Sequence, residues 1–153
     1  MDIRQIFEDD EKQHITRYIL ELLPDWFGIP ESREEYIKDS AGQIYFCAYD
    51  MQKPVGFLYL KETGKDTVEI AVMGVLKEYH RNGIGRKLFE CSKKKALENG
   101  YSFIQVKTVQ MGKYEDYDKT NLFYISLDFK EFEVFPNLWD EWNPCQIYVM
   151  ALR

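Results

Sequence analysis

The sequence predicts an α+β fold: a mixed, mostly antiparallel, twisted sheet of about seven strands flanked by about four helices. Three observations carry this. Short β-branched and aromatic runs recur along the chain, separated by turn residues. The middle of the chain, from Tyr45 to Val75, holds three such runs in succession with hairpin-length links, which is an antiparallel meander. After Gly85 the apolar period switches from two to about 3.6, and another strand run follows.

Taken in order, Ile3–Phe7 reads as the first strand. Asp9-Asp10 offers a helix N-cap, and Ile15, Tyr18, Ile19 and Leu22 form the stripe of an amphipathic helix that ends at Leu23-Pro24. Ser32-Arg33-Glu34-Glu35 reads as a capping box for a short second helix running to about Ser40, closed by Gly42. Tyr45–Tyr49 and Val55–Leu60 are strands joined by the turn Asp50–Pro54. Gly64-Lys65-Asp66 turns the chain into a third run, Thr67–Val75.

Ile84, Leu88 and Cys91 then share one helical face, and Asn99-Gly100 is a C-terminal stop. Tyr101–Thr108 is a strand, Tyr117–Leu127 a helix, and Lys130–Phe135 and Gln146–Leu152 the last two strands. The predicted order is β-α-α-β-β-β-α-β-α-β-β. The unit from Thr67 to Thr108 is a right-handed crossover between parallel strands. The 153 residues suit one domain spanning 1–153.

Composition bounds the function. The net charge of −6 argues against nucleic acid, because phosphate binding needs a clustered positive surface. No apolar run approaches the roughly 20 residues that span a bilayer, which argues against a membrane partner. The start of the chain has no apolar signal core. Cys47, Cys91 and Cys145 are widely spaced, with no C-x-x-C pair, so neither disulfides nor a metal site is expected. A cytoplasmic protein with reduced thiols follows as the expectation.

The chemistry-bearing segment is the strand, glycine turn and helix from Val68 to Leu97. A helix start leaves backbone N–H groups unpaired and carries positive partial charge, so a diphosphate can sit there. Gly83 and Gly85 are the positions where a side chain would hold a phosphate off the backbone. The segment has no G-K-[ST], so it is not a P-loop, and it lacks the third glycine of a dinucleotide fingerprint. Taken alone, Asn82-Gly83 could equally be a simple turn.

His80-Arg81-Asn82-Gly83-Ile84-Gly85 resembles the Q/R-x-x-G-x-G/A signature of the GNAT acetyltransferase superfamily, with His80 in place of Gln or Arg. Val75-Leu76-Lys77-Glu78-Tyr79 resembles the approach V-x-P-x-Y, with Lys77 where Pro is usual. Tyr117-x-x-Thr120-x-x-Phe123-Tyr124-x-x-Leu127-x-Phe129 is similar to Y-x-x-T-R-x-F-Y-x-x-L-G-F. Here Asn121 replaces Arg, and Asp128 replaces a helix-ending Gly whose left-handed conformation Asp tolerates. The tail Leu138-Trp139 … Asn143-Pro144-Cys145 is similar to one branch of the superfamily.

The resemblance implies a GNAT fold and transfer of acetyl from acetyl-CoA, with no metal, to the primary amine of an acceptor. It implies that the fourth and fifth strands splay, with Met73, Gly74 and Val75 beside the pantetheine arm and Gly74 marking a bulge that opens the sheet. A backbone N–H near Val75 would polarise the thioester carbonyl. Arg81, Asn82, Gly83, Ile84, Gly85 and Arg86 would hold the diphosphate, with Tyr117 and Phe123 nearby.

The run Glu69–Val75 resembles the strand of histone-type GNAT enzymes that carries their catalytic Glu, which implies Glu69 as the base that an alkyl amine, mostly protonated at neutral pH, requires. Strand alternation would put Glu69, Ala71, Met73 and Val75 on one face. An exposed strand carboxylate is the other reading of Glu69. By its place in the second motif the resemblance implies Tyr124 as the acid that protonates the leaving sulfur, and a core aromatic is its other reading.

The resemblance implies an acceptor site between the first two helices and the last hairpin. Trp26, Phe27, Tyr36, Trp139 and Trp142 lie there, with Asp25, Glu31, Asp140 and Glu141. Aromatics and carboxylates suit a small cationic amine, polyamine- or aminoglycoside-like. The same aromatics are compatible with a homodimer. A non-catalytic acyl-CoA sensor on the same fold is the alternative.

Overall fold

A computed structural model describes all 153 residues. The strands are β1 (Asp2–Ile6), β2 (Ile44–Asp50), β3 (Lys53–Gly64), β4 (Thr67–Val75), β5 (Phe103–Val109), β6 (Lys130–Phe135) and β7 (Cys145–Ala151). The helices are α1 (Asp9–Glu21), α2 (Pro30–Asp39), α3 (Ile84–Glu98) and α4 (Glu115–Ser126), with a single 3-10 turn at Lys77–Tyr79. The seven strands form one sheet in the order β1-β2-β3-β4-β5-β7-β6. Every neighbouring pair is antiparallel except β4 and β5, which run parallel across the α3 crossover. The predicted element order and the mixed sheet are both observed.

Each face of the sheet has its own aromatic core. On the α1–α2 face, Tyr45, Phe57 and Tyr59 stack at centroid spacings of 5.5 to 6.3 Å. Thr16 of α1 and Tyr45 share a hydroxyl–hydroxyl bond of 2.8 Å, and the Tyr59 hydroxyl donates to Tyr36 O of α2. On the α3–α4 face, Phe89, Phe129, Tyr124 and Tyr148 pack edge to face or tilted. Asn121 of α4 is fully buried and ties that helix to β5 and β7: its Nδ2 donates to Val109 O, and its Oδ1 accepts from the Tyr148 hydroxyl at 2.6 Å.

Several local expectations need correction. Helix α2 starts three residues earlier than the capping box implied. Pro30 is its first residue, with its fixed φ and missing N–H suited to that place, and no side chain caps it. Ser32 is therefore inside the first turn. Asp9 is also inside its helix, after the N-cap Glu8. Its carboxylate instead accepts the Gly42 N–H at 2.8 Å and binds the buried Lys12, tying α1 to the end of α2. Two expected stops are observed: Gly100 (φ +87°) follows α3, and Asp128 takes φ +76° after α4.

The bulge in β4 falls at Ala71, not at Gly74. Tyr59 faces Val72 and Leu60 faces Ile70, which leaves Ala71 as the extra residue. Gly74 stays in register opposite Phe57. A Cβ there would lie 3.1 Å from Leu23 and 3.3 Å from Ile19, so this glycine lets α1 close onto the sheet.

Candidate active site

The ladder between β4 and β5 is short. It contains Thr67–Phe103, Val68–Ile104 and Glu69–Gln105, and then the strands diverge. A cleft of about 960 Å³ opens between them, lined from both strands and from the 24–29 loop, α2, the α3 start, α4 and the 139–143 loop.

The β4 edge in the fork presents free backbone. Leu76 N–H donates to Val55 O at 2.9 Å, so 55/76 and 57/74 are the bonded pairs of the β3–β4 ladder. By antiparallel alternation the N–H and C=O groups of Met73 and Val75 point away from β3, into the fork. His80 Nε2 lies 2.7 Å from Val75 O and must donate to it. Val75 N–H and both Met73 groups remain for an extended ligand.

The mouth of the fork is the start of α3. Gly83 is its N-cap in the left-handed region (φ +76°), and no side chain caps the helix or places an acid in its first turn. The helix start is thus an uncompensated positive pole. Arg81, itself left-handed (φ +66°), and Arg86 flank it, and Arg86 is braced on Ser126 O at 3.0 Å. Arg81, Gly83, Ile84, Gly85 and Arg86 line the cleft, whereas Asn82 is exposed and does not. Gly85 has a packing reason of its own: a Cβ would meet Phe123 Cζ at 2.9 Å and Met73 Cε at 3.0 Å.

Deeper in the fork lies Tyr124. It is buried, and its ring lines the cleft. Its hydroxyl makes no protein hydrogen bond yet is not sealed from solvent. Burial pushes its pKa up, so the phenol keeps its proton. Such a group can donate a proton but is a poor base.

Glu69 is on the other face from the one alternation predicted for Met73 and Val75. Its β3 partner Lys61 binds Asp39 of α2, so Glu69 faces α2. Val75 lies against Gly56 and α3, and Met73 lies near Gly85 of α3. The extra residue Ala71 shifts the parity between them. Glu69 is not itself a cleft-lining residue. Lys107 of β5 is, and its Nζ donates to Glu69 Oε1 at 3.0 Å. The sequence reading missed Lys107. Its only trace was a polar residue at every second position of β5, Gln105 and Lys107.

At the α2 end, Trp26, Phe27, Tyr36 and Trp139 all line the cleft, together with Tyr117, Asp116 and Asp140. Burial raises the pKa of Tyr36 and Tyr117. Asp140 accepts from the Asn143 side chain and the Trp142 and Asn143 amides, which hold its pKa below the usual range and order the loop. Trp142, 72% exposed, lies outside, as do Asp25, Glu31 and Glu141. Asp25 instead binds Lys77, whose ammonium lies 5.4 Å from the Trp26 ring. Trp26 also meets His80 edge-on at 5.8 Å. No helix is long and apolar enough to cross a membrane.

A forked β4–β5 pair with a bare helix start at its mouth suits an extended ligand with an anionic end. The family described as Acetyltransferase (GNAT) matches residues 3–115, and the chain belongs to that family of acetyl-CoA-dependent N-acetyltransferases. Its fold is similar to that of a GNAT-family protein from Desulfovibrio desulfuricans, with TM-score 0.84, 16% identity and 99% of each chain covered. It is also similar to an aminoglycoside 6′-N-acetyltransferase complexed with coenzyme A (TM-score 0.78, 19% identity, 100% of this chain and 98% of that one). A third is the ribosomal-protein-S18-alanine N-acetyltransferase from Escherichia coli (TM-score 0.78, 17% identity, 99% and 93% covered). No curated protein sequence matches the chain.

Proposed function

We propose that this chain transfers an acetyl group from acetyl-CoA to the primary amine of a small cationic acceptor, by direct attack in a ternary complex. The observation that carries the reading is the fork. It holds the free Met73 backbone and the Val75 N–H on one edge, the unopposed α3 N-terminus at its mouth and the unbonded Tyr124 hydroxyl inside.

The coenzyme supplies an activated acetyl thioester. In this reading the amides at Gly83–Arg86, with Arg81 and Arg86, hold its diphosphate. The Met73 and Val75 backbone aligns the arm as an added strand, and Val75 N–H polarises the carbonyl. Phe123 and Tyr117 pack beside the arm. Glu69 takes the amine proton through water, since it lies behind Lys107. The nitrogen bonds to the carbonyl carbon, the C–S bond breaks, and Tyr124 gives its proton to the departing sulfur.

The acceptor end is walled by Trp26, Phe27, Tyr36 and Trp139 with Asp116 and Asp140. That wall favours an amine cation through ring faces and charge. Among the proteins of similar fold, some are named for aminoglycosides and others for a ribosomal-protein alanine. The aromatic wall supports the small-molecule side of that division.

The test is CoA release with acetyl-CoA and a panel of alkyl amines, polyamines, aminoglycosides and alanine-terminal peptides. Turnover on cationic small amines is expected. Turnover confined to neutral, anionic or peptide acceptors would overturn the acceptor assignment. Tight acetyl-CoA binding with no turnover on any amine would identify an acyl-CoA sensor instead.

A further inference from the structure

We infer that Lys107 is a positioning residue that fixes the Glu69 carboxylate for proton removal; this rests on the proposed role of Glu69 as base.

Glu69 is the last β4 residue paired with β5, opposite Gln105. Lys107 stands two residues further along β5, where the strands have begun to part. Their bond therefore spans the vertex of the fork. The side chains are only 15% (Glu69) and 26% (Lys107) exposed, so this is not a solvated surface pair. Lys107 Nζ engages Oε1 alone, and no protein group donates to Oε2. A carboxylate held by one oxygen has the other left for a water or an amine proton.

The surroundings explain why an anchor is needed. The Ala71 bulge turns Glu69 away from Met73 and toward α2, so the backbone alone does not aim it at the fork. The other titratable groups around it supply no second anchor. The Tyr36 hydroxyl of α2, the Tyr59 hydroxyl of β3 and the Cys145 thiol of β7 all feel its charge. All three are held neutral by burial, and Tyr59 is already bonded to Tyr36 O. Lys61, its cross-strand neighbour, is committed to Asp39. Lys107 is thus the one cation bonded to Glu69.

The experiment is a double-mutant cycle on steady-state kinetics and pH profiles, with Lys107→Met, Lys107→Arg, Glu69→Gln and the double variant Glu69→Gln/Lys107→Met. Lys107→Met is expected to lower kcat about tenfold or more while leaving acetyl-CoA affinity and KM for the amine nearly unchanged, because the carboxylate is no longer held in place. Lys107→Arg should recover most of kcat. In the Glu69→Gln background Lys107→Met should cost nothing further.

An unchanged kcat in Lys107→Met, or an equal further loss when it is added to Glu69→Gln, with Glu69→Gln itself impaired, would overturn the positioning role and leave Glu69 as base. Full activity and an unchanged profile in Glu69→Gln would overturn the base reading, and this inference with it. Should Lys107→Met not fold, Lys107→Gln and the double variant, which removes both charges, carry the same comparison.

Discussion

Gly85 and Phe123 approach so closely that a single added carbon on the glycine would lie 2.9 Å from the ring. That contact locks the start of α3 against α4, and it also brings Met73 of β4 to within 3.0 Å of the same point. The proposed diphosphate cradle, the second aromatic motif and the open strand edge therefore meet at one residue. Gly85→Ala is expected to cost about 1–3 kcal/mol through overpacking. It should also weaken acetyl-CoA binding, since the helix start must shift. Urea denaturation and a coenzyme titration check both. Pairing it with Phe123→Leu should recover part of the stability.

Tyr124→Phe removes a hydroxyl that has no protein partner, so the melting temperature should stay unchanged. Turnover should fall by about tenfold or more if the phenol protonates the leaving sulfur. Acetyl-CoA affinity should be preserved. A large loss of stability with normal turnover per folded molecule would mark Tyr124 as a packing residue only.

Asn121 holds Val109 O, Tyr117 O and the Tyr148 hydroxyl from a fully buried position. Asn121→Ala leaves Val109 O and the Tyr148 hydroxyl without their side-chain partner in the interior, at an expected cost of about 2–3 kcal/mol. The midpoint of chemical denaturation measures it. Tyr148→Phe should cost less, because it removes only one donor of the network.

Alkaline pH should unfold the protein cooperatively. Burial pushes the pKa values of Tyr45, Tyr59 and Tyr124 well above that of a free phenol. In the unfolded chain these phenols ionise near about pH 10. Above that pH the native state binds more protons than the unfolded one, so stability falls as pH rises, and below it these groups add no pH dependence. Denaturant midpoints measured between about pH 8 and 11, with phenolate absorbance followed alongside, test the sign. Cys47, pushed up to about 12, and Cys145, pushed up to about 11, should resist alkylation at neutral pH in the folded protein.

The element order, the parallel β4–β5 crossover and the glycine-bearing start of α3 were readable from residues alone, whereas Tyr124 was singled out by its place in a family motif. Each is a local matter: periodicity, turn chemistry and spacing need no knowledge of what lies across the fold. The placement of Glu69 was not readable, because strict alternation assumes an unbroken ladder and Ala71 breaks it. The same holds for Gly74 and Gly85, whose reasons are Ile19, Leu23, Phe123 and Met73, side chains distant in sequence or on another element. Lys107 gained its meaning only when β5 brought it to within 3.0 Å of Glu69. Local propensity thus dictated which segments form and where the helix start lies. Register, bulge and cross-strand proximity, which arise only when strands pair, decided which side chains could meet.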